Sequence, residues 1–439
     1  MDPKSLENFV PWFRASAPYI HAFGGRTFVI AFGGEVVADG KFVGLVHDLN
    51  LLAALGVKLV LVHGARPQIE ERLRRRKADI RYVHDMRVTD EAALQDVKEA
   101  SGRLRTEIEA QLSVGLPSTP MANATIQVTS GNFVIARPVG VVEGVDMLFT
   151  GEVRKIRADA IQRCLDDEDV VLVSPLGYSP TGEIFNLTLE DVAAQTAIAL
   201  KAEKLLFLMN EPGIGAGRGT MRTELTVSEA EQMLGESRGP KGDGAIYLPF
   251  AIRACKGGVK RVHLVSRHVD GALLLELFTH AGIGTMVTQD PVEQLRQATI
   301  EDVGGILHLI EPLEADGTLV KRSRELLEIE IDRFVVLQHD DRIVGCAALY
   351  PFAKDKAGEL ACLAIHPDYR NGGAGERLLQ FIEAKARKAK FKRLFVLTTR
   401  TAHWFVEQGF TEVPVADLPP QRQEFYNYQR RSKVLVKPV

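Results

Sequence analysis

Between Thr27 and Thr288 the chain repeatedly carries unbroken apolar runs, TFVIAF, KLVLVHG, DVVLVSPLG, EKLLFLMN and RVHLVSR, each separated from the next by a stretch with helical apolar spacing. A strand with one wet face alternates apolar and polar residues. A strand covered on both faces does not need to, so continuous runs between helices predict a mainly parallel sheet with crossover helices on both sides, an α/β sandwich. The runs end in Gly, Asn or Ser, at the strand ends where open α/β sheets place their ligands.

The pattern changes at about Ala298. ATIEDVGGILHLIEPLE has helical spacing, FVVLQHDDRIVGCAALYPF reads as a hairpin turning at Asp340 and Asp341, and ELACLAIHP follows as a strand. GERLLQFIEAKARKA then gives an amphipathic helix, RLFVLTT a strand, AHWFVEQGF a short helix and SKVLVKPV a last strand. Helices against a mainly antiparallel sheet make an α+β domain. The predicted division is a helical arm over 1–26, an α/β domain over 27–289, a polar linker over 290–297 holding Pro291, and the α+β domain over 298–439.

Composition narrows the function. The 439 residues carry 54 basic and 57 acidic side chains, a net charge of -3, which gives no footprint for nucleic acid. The densest basic cluster, Arg72 to Lys77, continues a helical pattern and reads as a solvated face. Cys164, Cys255, Cys346 and Cys362 lack metal-ligand spacing, so no metal is expected and a reducing, cytoplasmic setting fits. The N-terminus does not read as a signal peptide. No apolar stretch approaches the roughly 20 residues that cross a bilayer, so no membrane partner is expected.

The sharpest local signal is ELACLAIHPDYRNGGAGERLL, Glu359 to Leu379. A strand runs into Pro367, then a Gly-rich loop, then a helix starting near Gly373, with Arg370, Gly373 and Gly375 spaced R-x-x-G-x-G. First-turn amides of a helix have no helical acceptor and point at the positive end of the dipole, which suits an anion. Glycines let a pyrophosphate approach the backbone, and Arg370 adds a charge-assisted donor.

These residues resemble the GNAT acyltransferase superfamily. The resemblance implies that acetyl-CoA, as cosubstrate, sets its pyrophosphate on Arg370, Asn371, Gly372, Gly373, Ala374 and Gly375. It also implies that the pantetheine lies along Cys362, Leu363, Ala364 and Ile365, where the strand splays from its neighbour. One freed amide would polarise the thioester carbonyl; losing such a donor typically costs about 3 kcal/mol of barrier. The attacking amine arrives protonated and needs a base, and Glu359, at the start of that strand, is the candidate.

The acceptor side is basic, with Lys321, Arg322 and Arg324 before it and Arg422, Arg430, Arg431 and Lys433 in the tail. A dicarboxylic amino acid needs two anion clamps, for which Arg has the geometry. The run from Gln429 to Lys433 cannot put every charge on one face, so some of these are surface. Ser432, Tyr426 or Tyr428 could protonate the leaving thiolate; the sequence does not choose among them. Taken whole, the region resembles the bacterial N-acetylglutamate synthases of arginine biosynthesis in their long two-domain form. That resemblance implies L-glutamate as acceptor, held by Arg322, Arg430, Ser432 and the backbone of Cys362, with direct transfer in a ternary complex.

Thr27 to Thr288 resembles the amino-acid kinase family through FVIAFGGEVV, LVLVHGARPQI, LFTGEV, NLTLEDVAAQTAIALKAEKLLFLMNEPGI and LLLELFTHAGIGTMV. Phosphoryl transfer needs cations that neutralise charge on the phosphate oxygens. The family's strand-end lysine is Ala31 here, its second Gly-rich loop reads Gly64, Ala65, Arg66, Pro67, and its later acid is Asn210. Glu190 keeps a carboxylate but cannot replace the lysine, so no kinase activity is expected. The resemblance implies feedback inhibition by L-arginine, with Tyr19, Glu276 and the Gly282, Gly284, Thr285 turn as contacts. It further implies a ring-like homo-oligomer, a hexamer among the forms expected.

Overall fold

A computed structural model describes residues 3–215, 221–236, 239–279, 282–290, 293–339, 342–370 and 373–439. It divides into two compact units, Met1–Asp290 and Pro291–Val439. Among the described residues no helix is long and apolar enough to cross a membrane, and no group of His, Cys, Asp and Glu is arranged to hold a metal.

The apolar runs of the first unit form the middle of an eight-stranded sheet. Its order is Glu224–Thr226, Thr285–Thr288, Arg261–Ser266, Lys204–Met209, Thr27–Phe32, Lys58–His63, Val170–Val173 and Val128–Ser130. Pairing is parallel except between Arg261–Ser266 and Thr285–Thr288. Alternate residues of each run enter two separate cores. Val29, Ala31, Val60, Val62, Leu205 and Phe207 face one side, while Phe28, Ile30, Phe32, Leu59, Leu61 and Leu206 face the other. Each large apolar side chain so buried contributes roughly 1.5–3 kcal/mol, and a polar residue on either face would forfeit it. The helix Pro3–Phe23 returns to the sheet through Phe23, whose ring meets Phe28 and Phe278 edge-on at 5.2 and 5.6 Å.

The second unit is a seven-stranded sheet in the order Glu293–Gln297, Phe334–His339, Arg342–Phe352, Ala357–Ile365, Arg393–Thr398, Lys433–Pro438 and Thr411–Val413. All pairs are antiparallel except Ala357–Ile365 with Arg393–Thr398. The helix Ala374–Lys388 covers one face through Leu378, Leu379 and Ile382; Val303–Ala315 covers the other through Ile306 and Ile310. The two strands of the expected hairpin pair as anticipated, although Asp340 and Asp341 lie outside the described residues.

One boundary differs from the sequence reading. Much of the expected 290–297 linker is an edge strand, Glu293–Gln297, paired with Phe334–His339. An edge strand may be polar on its open side, and here the polar groups have partners: Arg296 holds Asp302 and Gln338, while Gln297 reaches the carbonyl of Asp332. Its composition therefore looked like a linker.

Candidate functional site

The strand Ala357–Ile365 and its parallel neighbour part company halfway. Their register runs from Ala357 opposite Arg393 to Leu360 opposite Val396 and stops, leaving Ala361 to Ile365 without a ladder partner on that edge. On the other edge the strand bulges: Ala348 pairs with Ala361 and Cys346 with Ala364, so Cys362 and Leu363 stand opposite the single Ala347. Cys362 takes a left-handed backbone, φ 52°. The bulge changes the phase of the strand. Leu360, Leu363 and Ile365 pack toward the helix Ala374–Lys388, while Cys362 and Ala364 face the other core. Side chains of all four pantetheine-strand residues are thus committed to packing, and what the strand offers a ligand is backbone.

At the helix start, Gly373 is the N-cap with φ 72°, and Ala374 is buried, leaving its amide as its polar contribution. Arg370 is exposed and donates from Nε to the Ile365 carbonyl at 3.3 Å, which lays its side chain back along the strand end. Gly375 has a packing reason to be glycine: a Cβ there would lie 3.1 Å from Cζ2 of Trp404. Asn371 and Gly372, also expected to hold the coenzyme, lie outside the described residues.

Glu359 is buried and paired bidentately with Arg422, Nε to Oε2 at 2.7 Å and Nη2 to Oε1 at 3.1 Å. Arg322 donates from Nη1 to the Val320 carbonyl at 2.9 Å and lies near Cys362 and Tyr350, whose phenol donates to Glu330 at 2.7 Å. Arg430 is anchored on the loop that leads to Arg322, donating to the carbonyls of Gly317 and Thr318, and its buried Nε has no partner. Arg322, Arg422 and Arg430 are therefore the inward cations. Lys321, Arg324, Arg431 and Lys433 are exposed, with Arg324 paired to Glu328 and Lys433 to Glu412. Ser432 is half-buried at the entry to the last strand, its carbonyl accepting from Tyr426 at 2.7 Å; Tyr428 is largely exposed.

In the first unit, Glu276 lies in a buried chain of contacts. His263 Nδ1 meets Glu276 Oε1 at 2.6 Å, and His263 Nε2 meets Lys204 Nζ at 3.1 Å. The Lys204 ammonium also sits 5.3 Å from the Phe23 ring centre. Burial pushes the Lys204 ammonium down to about 7 and the His263 imidazole down to about 4. Burial alone would raise the Glu276 carboxyl, but hydrogen bonds from His263 and the Ile283 and Gly284 amides bring it down to about 2. Tyr19 packs beside this group, 6.1 Å from Phe23.

Two expected effector contacts, Gly284 and Thr285, are otherwise engaged. The Gly284 amide, with that of its neighbour Ile283, already donates to Glu276, at 2.9 and 2.7 Å. Thr285 accepts from the Ile214 amide and donates to the Arg222 carbonyl, so its hydroxyl fixes a neighbouring loop. Gly282, with φ 59°, leaves room for the Glu276 carboxylate, which a Cβ would meet at 2.7 Å. Sequence reasoning missed Lys204 and His263. The available signal was a charged residue inside an otherwise apolar strand run, which demands a buried partner.

A cavity of about 190 Å³ opens at the strand ends after Phe32, His63 and Met209, lined by Gly33, Gly64, Arg66, Arg87, Glu190 and Asn210 among others. Ala31 is buried in the core below it. Among the described residues the cations that line it are Arg66 and Arg87, and neither stands at the end of the first strand.

Residues 26–266 match the amino acid kinase family and residues 306–410 the acetyltransferase (GNAT) family. The chain is 56% identical over 431 residues to an amino-acid acetyltransferase of Ralstonia nicotianae, covering 98% of this chain and 95% of that protein. It is 54% identical to an amino-acid acetyltransferase of Azotobacter vinelandii, covering 98% of this chain and all of that one. Among solved structures it is similar to N-acetylglutamate synthase from Neisseria gonorrhoeae complexed with coenzyme A and L-arginine, with TM-score 0.88, 38% identity, and coverage of 98% and 99% of the two chains. A structure of that synthase with coenzyme A and N-acetyl-glutamate matches with TM-score 0.63.

Proposed function

Matched end to end by amino-acid acetyltransferases, the chain belongs to that family, and from this premise we propose that it transfers the acetyl group of acetyl-CoA directly to the amine of L-glutamate, giving N-acetyl-L-glutamate and coenzyme A. The observation that carries the reading is the break in the sheet after Leu360. It frees backbone donors beside the Gly373 helix start and within the same strand as Glu359.

In this reading the helix-start amides and Arg370 hold the coenzyme phosphates. Arg322 and Arg430 hold acceptor carboxylates, the unpartnered Nε of Arg430 supplying a donor. Glu359 takes a proton from the ammonium group, so that the nitrogen lone pair can attack the thioester carbonyl. The departing thiolate collects a proton from Ser432, Tyr426 or Tyr428. Support for an acidic acceptor is the N-acetyl-glutamate named with the Neisseria gonorrhoeae structure.

The first unit serves regulation and assembly rather than phosphoryl transfer, because the cavity lacks a strand-end lysine. L-Arginine, named as a ligand of that similar synthase, is the proposed effector, with Tyr19 and Glu276 joined by Lys204 and His263, and with the Gly282 to Thr285 turn acting through the amides it gives to Glu276. The exposed aromatic stripe Phe9, Trp12 and Phe13 on the N-terminal helix supports a homo-oligomer. The test is a thiol-release assay with acetyl-CoA and a panel of amino acids, with and without L-arginine. Preferred turnover of glutamate, depressed by arginine, is expected; equal turnover of glutamate and leucine overturns the acceptor assignment.

A further inference from the structure

Glu359 accepts one hydrogen bond from Arg422 on each of its carboxylate oxygens. The pair is recessed, with side chains 11% and 24% exposed, so it is screened less than a surface pair. The third guanidinium nitrogen, Nη1, donates to the Phe425 carbonyl at 3.1 Å. This fixes the plane of the fork to the tail segment that also carries Arg430 and Ser432. A carboxylate gripped in this way keeps a lone pair on each oxygen, but it cannot swing its gripped edge toward an incoming ammonium group without surrendering at least one charge-assisted bond. Surrender without replacement leaves a recessed guanidinium unpaired, which is strongly unfavourable. Replacement by another carboxylate conserves the charge balance and removes most of that obstacle.

A dicarboxylic acceptor brings such a replacement; an acceptor with a neutral side chain does not. We propose that Arg422 is a positioning and specificity residue that locks Glu359 until the side-chain carboxylate of the acceptor competes for its guanidinium. Ion-pair partners are then exchanged: Arg422 passes to the acceptor, and Glu359, still ionised, is released to take one proton from the acceptor's ammonium group. Discrimination against neutral acceptors consequently acts on turnover as well as on binding. The inference rests on the reading of Glu359 as the base.

The experiment measures kcat and KM separately for L-glutamate, L-glutamine and L-norvaline in the wild type, Arg422→Gln, Arg422→Lys and Glu359→Gln. In the wild type the neutral acceptors have depressed kcat at saturation. Arg422→Gln lowers the ratio of glutamate to glutamine kcat by about tenfold or more, because Glu359 is no longer locked. Arg422→Lys keeps the charge without the fork and falls between. An unchanged kcat ratio in Arg422→Gln, with discrimination confined to KM, overturns the lock. Wild-type turnover in Glu359→Gln removes the base and the lock together; lost turnover there with an unchanged ratio in Arg422→Gln removes the lock alone. If Arg422→Gln fails to bind acetyl-CoA because it does not fold, Arg422→Lys decides on the same criterion.

Discussion

His263 and Glu276 share a 2.6 Å hydrogen bond in the interior of the first unit, and Lys204 extends the contact from the other side of the imidazole. Three titratable groups buried together are costly unless each has a partner, and here each partner is another member of the set. The proposed effector carries a guanidinium and an ammonium, both of which seek a carboxylate, and Glu276 is the carboxylate of this set. Glu276→Gln is therefore expected to raise the arginine concentration for half-inhibition by about 10–100-fold, the loss of one charged hydrogen bond. Turnover without arginine should be little changed. Inhibition curves that superimpose on the wild type would remove Glu276 from the effector site.

The coenzyme loop makes a separate prediction, because its residues fail for different reasons. Arg370→Ala removes an exposed cation and should weaken acetyl-CoA binding by about tenfold or more without altering the melting temperature. Gly373→Val places a β-branched residue at φ 72°, a strain of about 1–3 kcal/mol, and should weaken both binding and stability. Calorimetric titration with coenzyme A distinguishes them. Unaltered affinity in both variants would detach this loop from the coenzyme.

Much of this architecture is legible in the sequence. The unbroken runs required two covered faces, and Val29 with Ile30 now enter opposite cores. Glu276 stood out as a carboxylate among leucines. What was hidden has a common cause: it depends on pairing rather than on local pattern. Nothing in CLAI announces a bulge at a non-glycine Cys362. Arg422 was one of several tail cations until its carboxylate partner was known. The polar strand Glu293–Gln297 resembled a linker because its partners, Asp302, Asp332 and Gln338, are distant or turn back on it.

Glu359→Gln keeps the size and most of the packing of the side chain but cannot accept a proton. Turnover should fall by about 10²–10⁴, with acetyl-CoA affinity retained. Single-turnover release of thiol, monitored after mixing preformed acetyl-CoA complex with glutamate, isolates the chemical step. A rate equal to that of the wild type would assign proton removal elsewhere.

Asp48 offers a prediction of stability rather than activity. It lies on the helix Phe42–Ala54 and lines a cavity of about 290 Å³ with Lys41, Arg267, His268 and Asp270. Gly44, one turn earlier, allows the approach of Asp270, whose Oδ1 a Cβ at that position would meet at 2.8 Å. Burial, reinforced by the Asp270 charge, pushes the Asp48 carboxyl up to about 7 from the 3.8 of an unperturbed group. Between those values the folded protein retains a proton that the unfolded chain has released. The stability contributed is full below about pH 4 and is lost as pH rises through about 7. Asp48→Asn replaces the ionising group by a neutral one of similar shape at every pH. Its melting temperature should exceed that of the wild type at pH 8, and the gap should close as pH falls from 7 to 4. Parallel melting curves across that range would show that Asp48 ionises freely in the folded protein, and that its cavity admits the charge without cost.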